Sequence, residues 1–211
     1  METPNWVNSD STSVEWERLA RPLAVLPLGS LEQHGPHLPV GLDTIEAVHF
    51  GRVVAEALGG ALLPVLPILQ CFEHSGFRGS VGVRPETAMA LIRDVADALE
   101  RQHFKRLVVV NSHGGNLAVG PAVRDWNRQD RPLRILLVDW WTLDRSPEGA
   151  ALKPGSLHAD GWETAVALAL CPERVGDYRS LKPSPIPWPG AEQADLNHLG
   201  IGAFRPAGYW G

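Results

Sequence analysis

The run Leu107-Val108-Val109-Val110 is apolar at every position. A half-buried strand alternates apolar and polar side chains, so a short unbroken run reads as a strand covered on both faces. Strands of that kind belong to parallel sheets whose connecting helices pack above and below. The rest of the chain supplies the pieces. Leu23–Leu28, Ala61–Leu66 and Leu133–Asp139 read as further strands. Between them, Ala47, Phe50, Val54, Ala57 and Leu58 recur at helical spacing, as do Ala88, Leu91, Ile92, Val95 and Leu99. Gly59-Gly60 ends the first of these helices and Pro85 opens the second. A third helix is expected over Leu117–Arg128, a short one over Val14–Leu19 with Trp16 packed inward, and an apolar one over Ala165–Leu170. Strand and helix alternate four times, which predicts an α/β fold with a mainly parallel sheet and helices on both faces. The length of 211 residues suits one domain with a sizeable core. From about residue 172 the chain is rich in Pro and Gly, including Pro183, Pro185, Pro187 and Pro189, and reads as an extended segment wrapping the domain or a partner.

The first strand runs into Gly29-Ser30-Leu31-Glu32-Gln33-His34-Gly35-Pro36-His37-Leu38-Pro39 and then Asp43. Glu32 and His34 are two apart, so in extended backbone they point to the same side. A carboxylate and a neutral imidazole facing one point suit a divalent transition metal better than calcium or magnesium. Asp43-Thr44-Ile45-Glu46 has the spacing of a capping box, so Asp43 alone reads as a helix cap. Other candidates follow the later strands: His113 in Asn111-Ser112-His113-Gly114-Gly115-Asn116, then Asp139, then His158, Asp160 and Glu163. Taken singly, His113 reads as a loop histidine, His158 as a satisfied core histidine and Glu163 as a partner in a second capping box. Taken together, they lie where the carboxyl ends of parallel strands share one edge, and that edge is where open α/β sheets bind ligands. The inventory is enough for two metal ions bridged by one carboxylate and one hydroxide. Such a site yields a nucleophile at neutral pH, and attack on a polarised carbonyl with C–N cleavage is one reaction open to it.

The formal net charge is -5, with Lys and Arg scattered, which argues against nucleic acid as a partner. No apolar run approaches the length of a membrane span. The first residues, Met1 to Glu17, lack the basic start and apolar core of a signal peptide. Cys71 and Cys171 sit among apolar neighbours without metal-knuckle spacing and read as buried free thiols. A reducing cytoplasm is the expected compartment.

The stretch from Pro27 to Pro39 with Asp43 resembles the opening motif of the creatininase (creatinine amidohydrolase) family. Asn111–Asn116 resembles its second motif, and His158-Ala159-Asp160 with Glu163-Thr164 its third. His74, Phe77, Gly79 and Ser80 match a weaker loop motif. The resemblance implies a three-layer α/β/α fold and a centre of two divalent metal ions, usually zinc, manganese or iron. It implies that Glu32, Asp43 and His113 hold one metal and His34, Asp43 and Glu163 the other, with Asp43 bridging. His158 would take a proton during attack and give it to the leaving nitrogen. A homo-oligomer is implied too, usually a hexamer built as a trimer of dimers, to which the Pro-rich tail and Trp188 would contribute.

Three positions, Gly114, Gly115 and Pro154, depart from creatininase itself, which carries His-Tyr-Glu-Asn at the second motif, its Glu a ligand. Here Gly115 has no side chain to offer, so Glu163 must supply that oxygen. Pro154 stands where creatininase has a substrate-stacking Trp. Trp140 or Trp141 is expected to form another aromatic wall, with Ser80 and Gly114 also bordering substrate. Creatinine is therefore not the expected substrate, and a larger amide or a formamide is. Relatives similar at the Gly-Gly motif include a formamide deformylase of flavin-type biosynthesis and a peptidase of mycofactocin maturation. The competing expectation from another class is a non-catalytic ligand-binding or scaffold protein that keeps the fold. At Gly208-Tyr209-Trp210-Gly211 the chain resembles family members at a point where they continue into one more helix.

Overall fold

In the computed structural model, strands β1 (Leu23–Leu28), β2 (Ala61–Leu62), β3 (Arg106–Asn111) and β4 (Arg134–Asp139) form one parallel sheet in the order β2-β1-β3-β4. The structure describes residues 5–143, 146–147, 157–182, 200–204 and 207–210. Register aligns Leu28 with Asn111, and Asn111 with Asp139, so three strands end on one rung. β1 leads outward to β2 and β3 outward to β4. The gap beyond β1 and β3 is therefore the switch point of the sheet, where the flanking connections diverge and leave a crevice.

Alternate strand residues divide between two cores. Ala24, Leu26, Leu28, Leu107 and Val109 pack with α3 (Pro85–Arg101) and α4 (Val119–Arg128) through Ile92, Leu99, Val123 and Trp126. Val25, Val108 and Val110 pack with α2 (Leu42–Leu58) and α5 (Gly161–Leu170) through Ala55, Phe50, Val54 and Val166. Helices thus cover both faces, as the apolar run in β3 requires. A short α1 (Ser13–Glu17) is capped by Thr12 and sets Trp16 edge-on to Phe104, and α6 (Ile201–Phe204) packs near the turn at Phe72–His74.

Three boundaries differ from expectation. The second strand stops at Leu62 because the pairing slips by one residue: Leu63 N donates to Val25 O but it is Leu66 N that donates to Pro27 O, and Leu66 regains β1 only as an isolated bridge to Leu28. Helix α2 starts at Leu42 with Gly41 at the N-cap, so Asp43 is not a cap but lies in the first turn. Helix α4 starts at Val119 and leaves Leu117 exposed. Pro154, the Pro183–Pro189 segment and Trp188 lie outside the described residues. Both cysteines are buried thiols, and burial pushes Cys71 up to about 12. Among the described residues no helix is long and apolar enough to cross a membrane.

Candidate metal centre

Gly29 is the hinge between β1 and the site. A Cβ there would stand 2.6 Å from Cα and 2.8 Å from N of Thr44, so only glycine lets the first turn of α2 come this close. Thr44 Oγ1 then donates to Ser30 O (2.9 Å), and Ser30 Oγ donates to Asp43 Oδ2 (2.7 Å). Asp43 is thereby aimed back over the strand ends. Glu32 and His34 enter from the extended segment beyond Ser30, both fully buried. His34 Nδ1–H donates to Glu32 O (3.1 Å), which leaves Nε2 facing Asp43 Oδ1 at 3.1 Å. Metal-bound histidines are oriented in this way, with the far nitrogen tied to a carbonyl.

His113 follows β3. Asn111 fixes its loop by donating to His113 O (3.0 Å) and to Asp139 Oδ1 (2.8 Å). Asp139 therefore braces the loop and does not join the cluster. His113 Nδ1 lies 3.0 Å from Asp43 Oδ2, while Nε2 lies 3.0 Å from Glu32 Oε2 and 3.2 Å from Glu73 Oε1. From the start of α5, Glu163 accepts from Ala159 N, and Asp160 caps the helix by accepting from Trp162 N and Glu163 N. His158 Nδ1 sits 3.7 Å from Glu32 Oε1. Ligand atoms of Glu32, His34 and Asp43 lie within 4.8 Å of one another, as do those of His34, His158 and Glu163, of Glu32, Glu73 and His113, and of Glu32, His74 and His158.

Glu73, His74 and Gln33 were not among the expected ligand and catalytic residues. His74 Nε2 is 3.2 Å from Glu32 Oε1. Gln33 Oε1 accepts from Gly35 N, so its amide nitrogen faces His74 Nδ1 (3.1 Å) and His158 (3.0 Å). The signal available was the adjacent Glu73-His74 pair in a glycine-containing loop, but nothing in its spacing says that the loop folds back over the strand ends.

The expected substrate border fares unevenly. Gly114 lines the cleft with Ser112, Leu157 and Ile201. Ser80 accepts from Gln33 N (3.0 Å) and so braces the motif from behind. Trp140 does not form a wall of this cleft: its ring is stacked between Phe50 and Trp162 at 4.0 and 5.0 Å, and Trp141 packs in the same cluster. The strand end that carries them opens onto the face covered by α2 and α5. The space in the cleft at the cluster is about 50 Å³, room for ions, water and the reacting group of a substrate.

Burial alone would push Glu32 and Asp43 up; the facing imidazoles overcome this and hold both well below the usual range. The same pairing works against burial at His34, raised to about 10 chiefly by Asp43, and at His113, raised by Glu32 and its carboxylate partners. Burial moves Glu163 up to about 8, with Asp43 and Asp160 adding to it against His34. At His158, burial acts first and the neighbouring charge of His34 adds to it, and together they hold the ring neutral.

This donor set fits divalent metal. A neutral imidazole has one N–H, yet carboxylates face both nitrogens of His113. Glu32 Oε2 and His113 Nε2 are buried without a well-directed hydrogen bond although they stand 3.0 Å apart. A cation between such groups satisfies both.

The sequence matches the family model for creatininase, described as creatinine amidohydrolase, over residues 9–211. The chain belongs to the creatininase family. Among its relatives in this family, the mycofactocin precursor peptide peptidase of Mycobacterium ulcerans (strain Agy99) is 34% identical over 73% of this chain and 60% of its own length. The 3-dehydro-scyllo-inosose hydrolase of Thermotoga maritima is 27% identical over 82% of this chain and 59% of its own length. The chain thus spans about three fifths of these curated relatives. A point mutant of creatininase described as the Zn-Zn type superposes with a TM-score of 0.74 at 24% identity, covering 90% of this chain and 82% of that one, which supports the creatininase fold.

Proposed function

We propose that this chain is a metal-dependent hydrolase of a C–N bond in an amide, cyclic amide or formamide. The observation that carries the reading is the convergence of buried Glu32, His34, Asp43 and His113 with half-buried Glu163 at the switch point, with carboxylates on both sides of one imidazole. Glu32, Asp43 and His113 would hold one divalent ion and His34, Asp43 and Glu163 a second, with zinc first in line and manganese or iron as alternatives. A pair of such ions polarises a carbonyl and makes water nucleophilic at neutral pH.

The chain's own contribution to proton transfer is His158. Its Nε2 lies 2.7 Å from Gln33 O and 3.0 Å from the Gln33 amide nitrogen; in the tautomer in which Nε2–H donates to the closer carbonyl, the lone pair is left on Nδ1, toward Glu32 and the cleft. A neutral ring with Nδ1 unprotonated can take a proton at that atom and return it to a leaving nitrogen. Gln33 holds this orientation and is itself held by Ser80 and Gly35. Trp210 N donates to His158 O (2.9 Å) and fixes the backbone from the other side.

A side chain is absent at Gly114, which is exposed on the cleft, and no Trp of the described residues faces the cluster. Aromatic contacts contribute roughly 0.5–1.5 kcal/mol beyond area burial, and their absence leaves a small flat ring poorly held. The expected substrate is therefore longer than creatinine, and the similarity to a peptide peptidase puts short peptides first. The test is a turnover screen of zinc- and manganese-loaded protein against short peptides, formamides, creatinine and 3-dehydro-scyllo-inosose. Peptide or formamide hydrolysis is expected, with creatinine at least about tenfold lower in kcat/KM, a margin of about 1.4 kcal/mol. Efficient creatinine turnover would overturn the substrate reading. Hydrolysis of the inosose alone, or of nothing, would overturn the C–N assignment.

A further inference from the structure

Glu73 reaches the cluster from outside the sheet. It sits on the one-turn 3₁₀ segment Phe72–His74, whose backbone is tied down on two sides. Val81 N donates to Leu31 O (2.8 Å) at the far end of the loop, and at the near end Gln70 accepts from Ala118 N (3.0 Å) while its own N–H donates to Asn116 (3.3 Å). The loop is thus fastened both to the segment after β1 and to the segment after β3. The side chain it delivers is a buried carboxylate, 8% exposed.

The space that carboxylate fills belongs to position 115. A Cβ built on Gly115 overlaps Glu73 Oε1 outright and crowds His113 Nε2 as well. A side chain at 115 therefore excludes the carboxylate of Glu73 from its present position. Glu73 also faces a nitrogen that already has a carboxylate opposite it: His113 Nε2 is 3.2 Å from Glu73 Oε1 and 3.0 Å from Glu32 Oε2. Even an imidazolium has one N–H on that nitrogen, too few for two carboxylates. Buried carboxylates in excess of donors must either take up a proton or sit beside a cation. Glu32, Asp43, Glu73 and Glu163 carry four negative charges when ionised, which balance two dications.

We propose that Glu73 is a further metal ligand, supplying an oxygen beside Glu32 on the Nε2 side of His113 in the space left by Gly115. The proposal rests on the reading of the cluster as a metal centre. It assigns the missing side chain at 115 a substitute from another loop, in addition to Glu163.

The test uses purified full-length chain stripped with chelator, titrated with Zn²⁺ and with Mn²⁺, and substituted with Co²⁺ for visible spectroscopy. Glu73→Gln, close to isosteric, and Glu73→Ala are compared with the unsubstituted chain. One site should weaken by about tenfold or more in both variants while the other is retained, and the Co²⁺ band of the weakened site should shift. Wild-type affinity at both sites with an unchanged Co²⁺ spectrum overturns the proposal, as does a drop in metal-free Tm with no change in affinity, which marks a purely structural role. If the unsubstituted chain itself binds no divalent ion, the metal-centre reading fails first, and with it this one.

Discussion

Asp43 faces both halves of the cluster: Oδ1 lies 3.1 Å from His34 and Oδ2 lies 3.0 Å from His113. Asp43→Ala should therefore lose both metals, whereas Glu32→Ala should empty chiefly the site on the His113 side. Metal analysis after gel filtration checks this, and full occupancy in Asp43→Ala would reduce Asp43 to a structural anion of the first turn. His158→Ala should keep its metal and lose about 10²–10⁴-fold in kcat, the usual contribution of general acid–base catalysis. Metal loss in that variant would make His158 a ligand, a role its grouping with His34 and Glu163 would then explain. The single-residue level is where the sequence was least complete. Glu32 and His34 could be paired from their spacing, because period-two geometry is local. Glu73 and Gln33 could not, since their roles depend on a loop folding over strand ends and on an amide whose orientation is set by Gly35.

At the level of elements, sequence pattern went further. Unbroken apolar strands and helical stripes are consequences of burial on two faces, so the parallel sheet and its covering helices were readable. Strand length at β2 was not, because the pairing with β1 slips by one residue between Leu63 and Leu66 while the apolar pattern continues to Leu66. Nor was the start of α2, where Asp43 and Glu46 have capping spacing but the helix begins one residue earlier. Two glycines show how differently the same substitution acts on these elements. Gly29→Ala pushes backbone atoms of Thr44, so α2 must retreat and carry Asp43 with it. The expected cost is about 1–3 kcal/mol of stability together with weaker metal binding. In α4, Gly120 has only Leu137 Cδ2 at 4.0 Å from a built Cβ. Gly120→Ala should stabilise by about 0.4–1 kcal/mol and leave metal affinity unchanged. Chemical denaturation and metal titration of both variants check the contrast; equal effects would mean that the approach of α2 to Gly29 does not position the site.

For the molecule as a whole, metal, protons and stability are linked through one cluster. In the metal-free chain His34 is raised from 6.5 to about 10 and Glu163 from 4.5 to about 8. Both groups bind their proton more tightly folded than unfolded. The contribution of His34 is fully present below about pH 6.5 and is lost as pH rises through about 10; that of Glu163 is lost between about 4.5 and 8. Glu32 and Asp43 are shifted the other way, and their contribution is lost only as pH falls below the ordinary carboxylate range. Metal-free protein should accordingly lose stability steadily from pH 7 to 10. Metal must displace those protons and that of His113, which its carboxylate partners also raise, so its binding tightens with pH and releases about two to three protons per chain near pH 7. At a free metal concentration of 100 times Kd the stabilisation is about 2.7 kcal/mol. The gap in Tm between zinc-loaded and chelator-treated protein should therefore widen from pH 6 to 9. Calorimetric titration in buffers of different ionisation enthalpy counts the protons. No proton release, or a metal-free Tm that climbs between pH 7 and 10, would show that His34 and Glu163 do not hold the protons that a divalent ion is expected to replace.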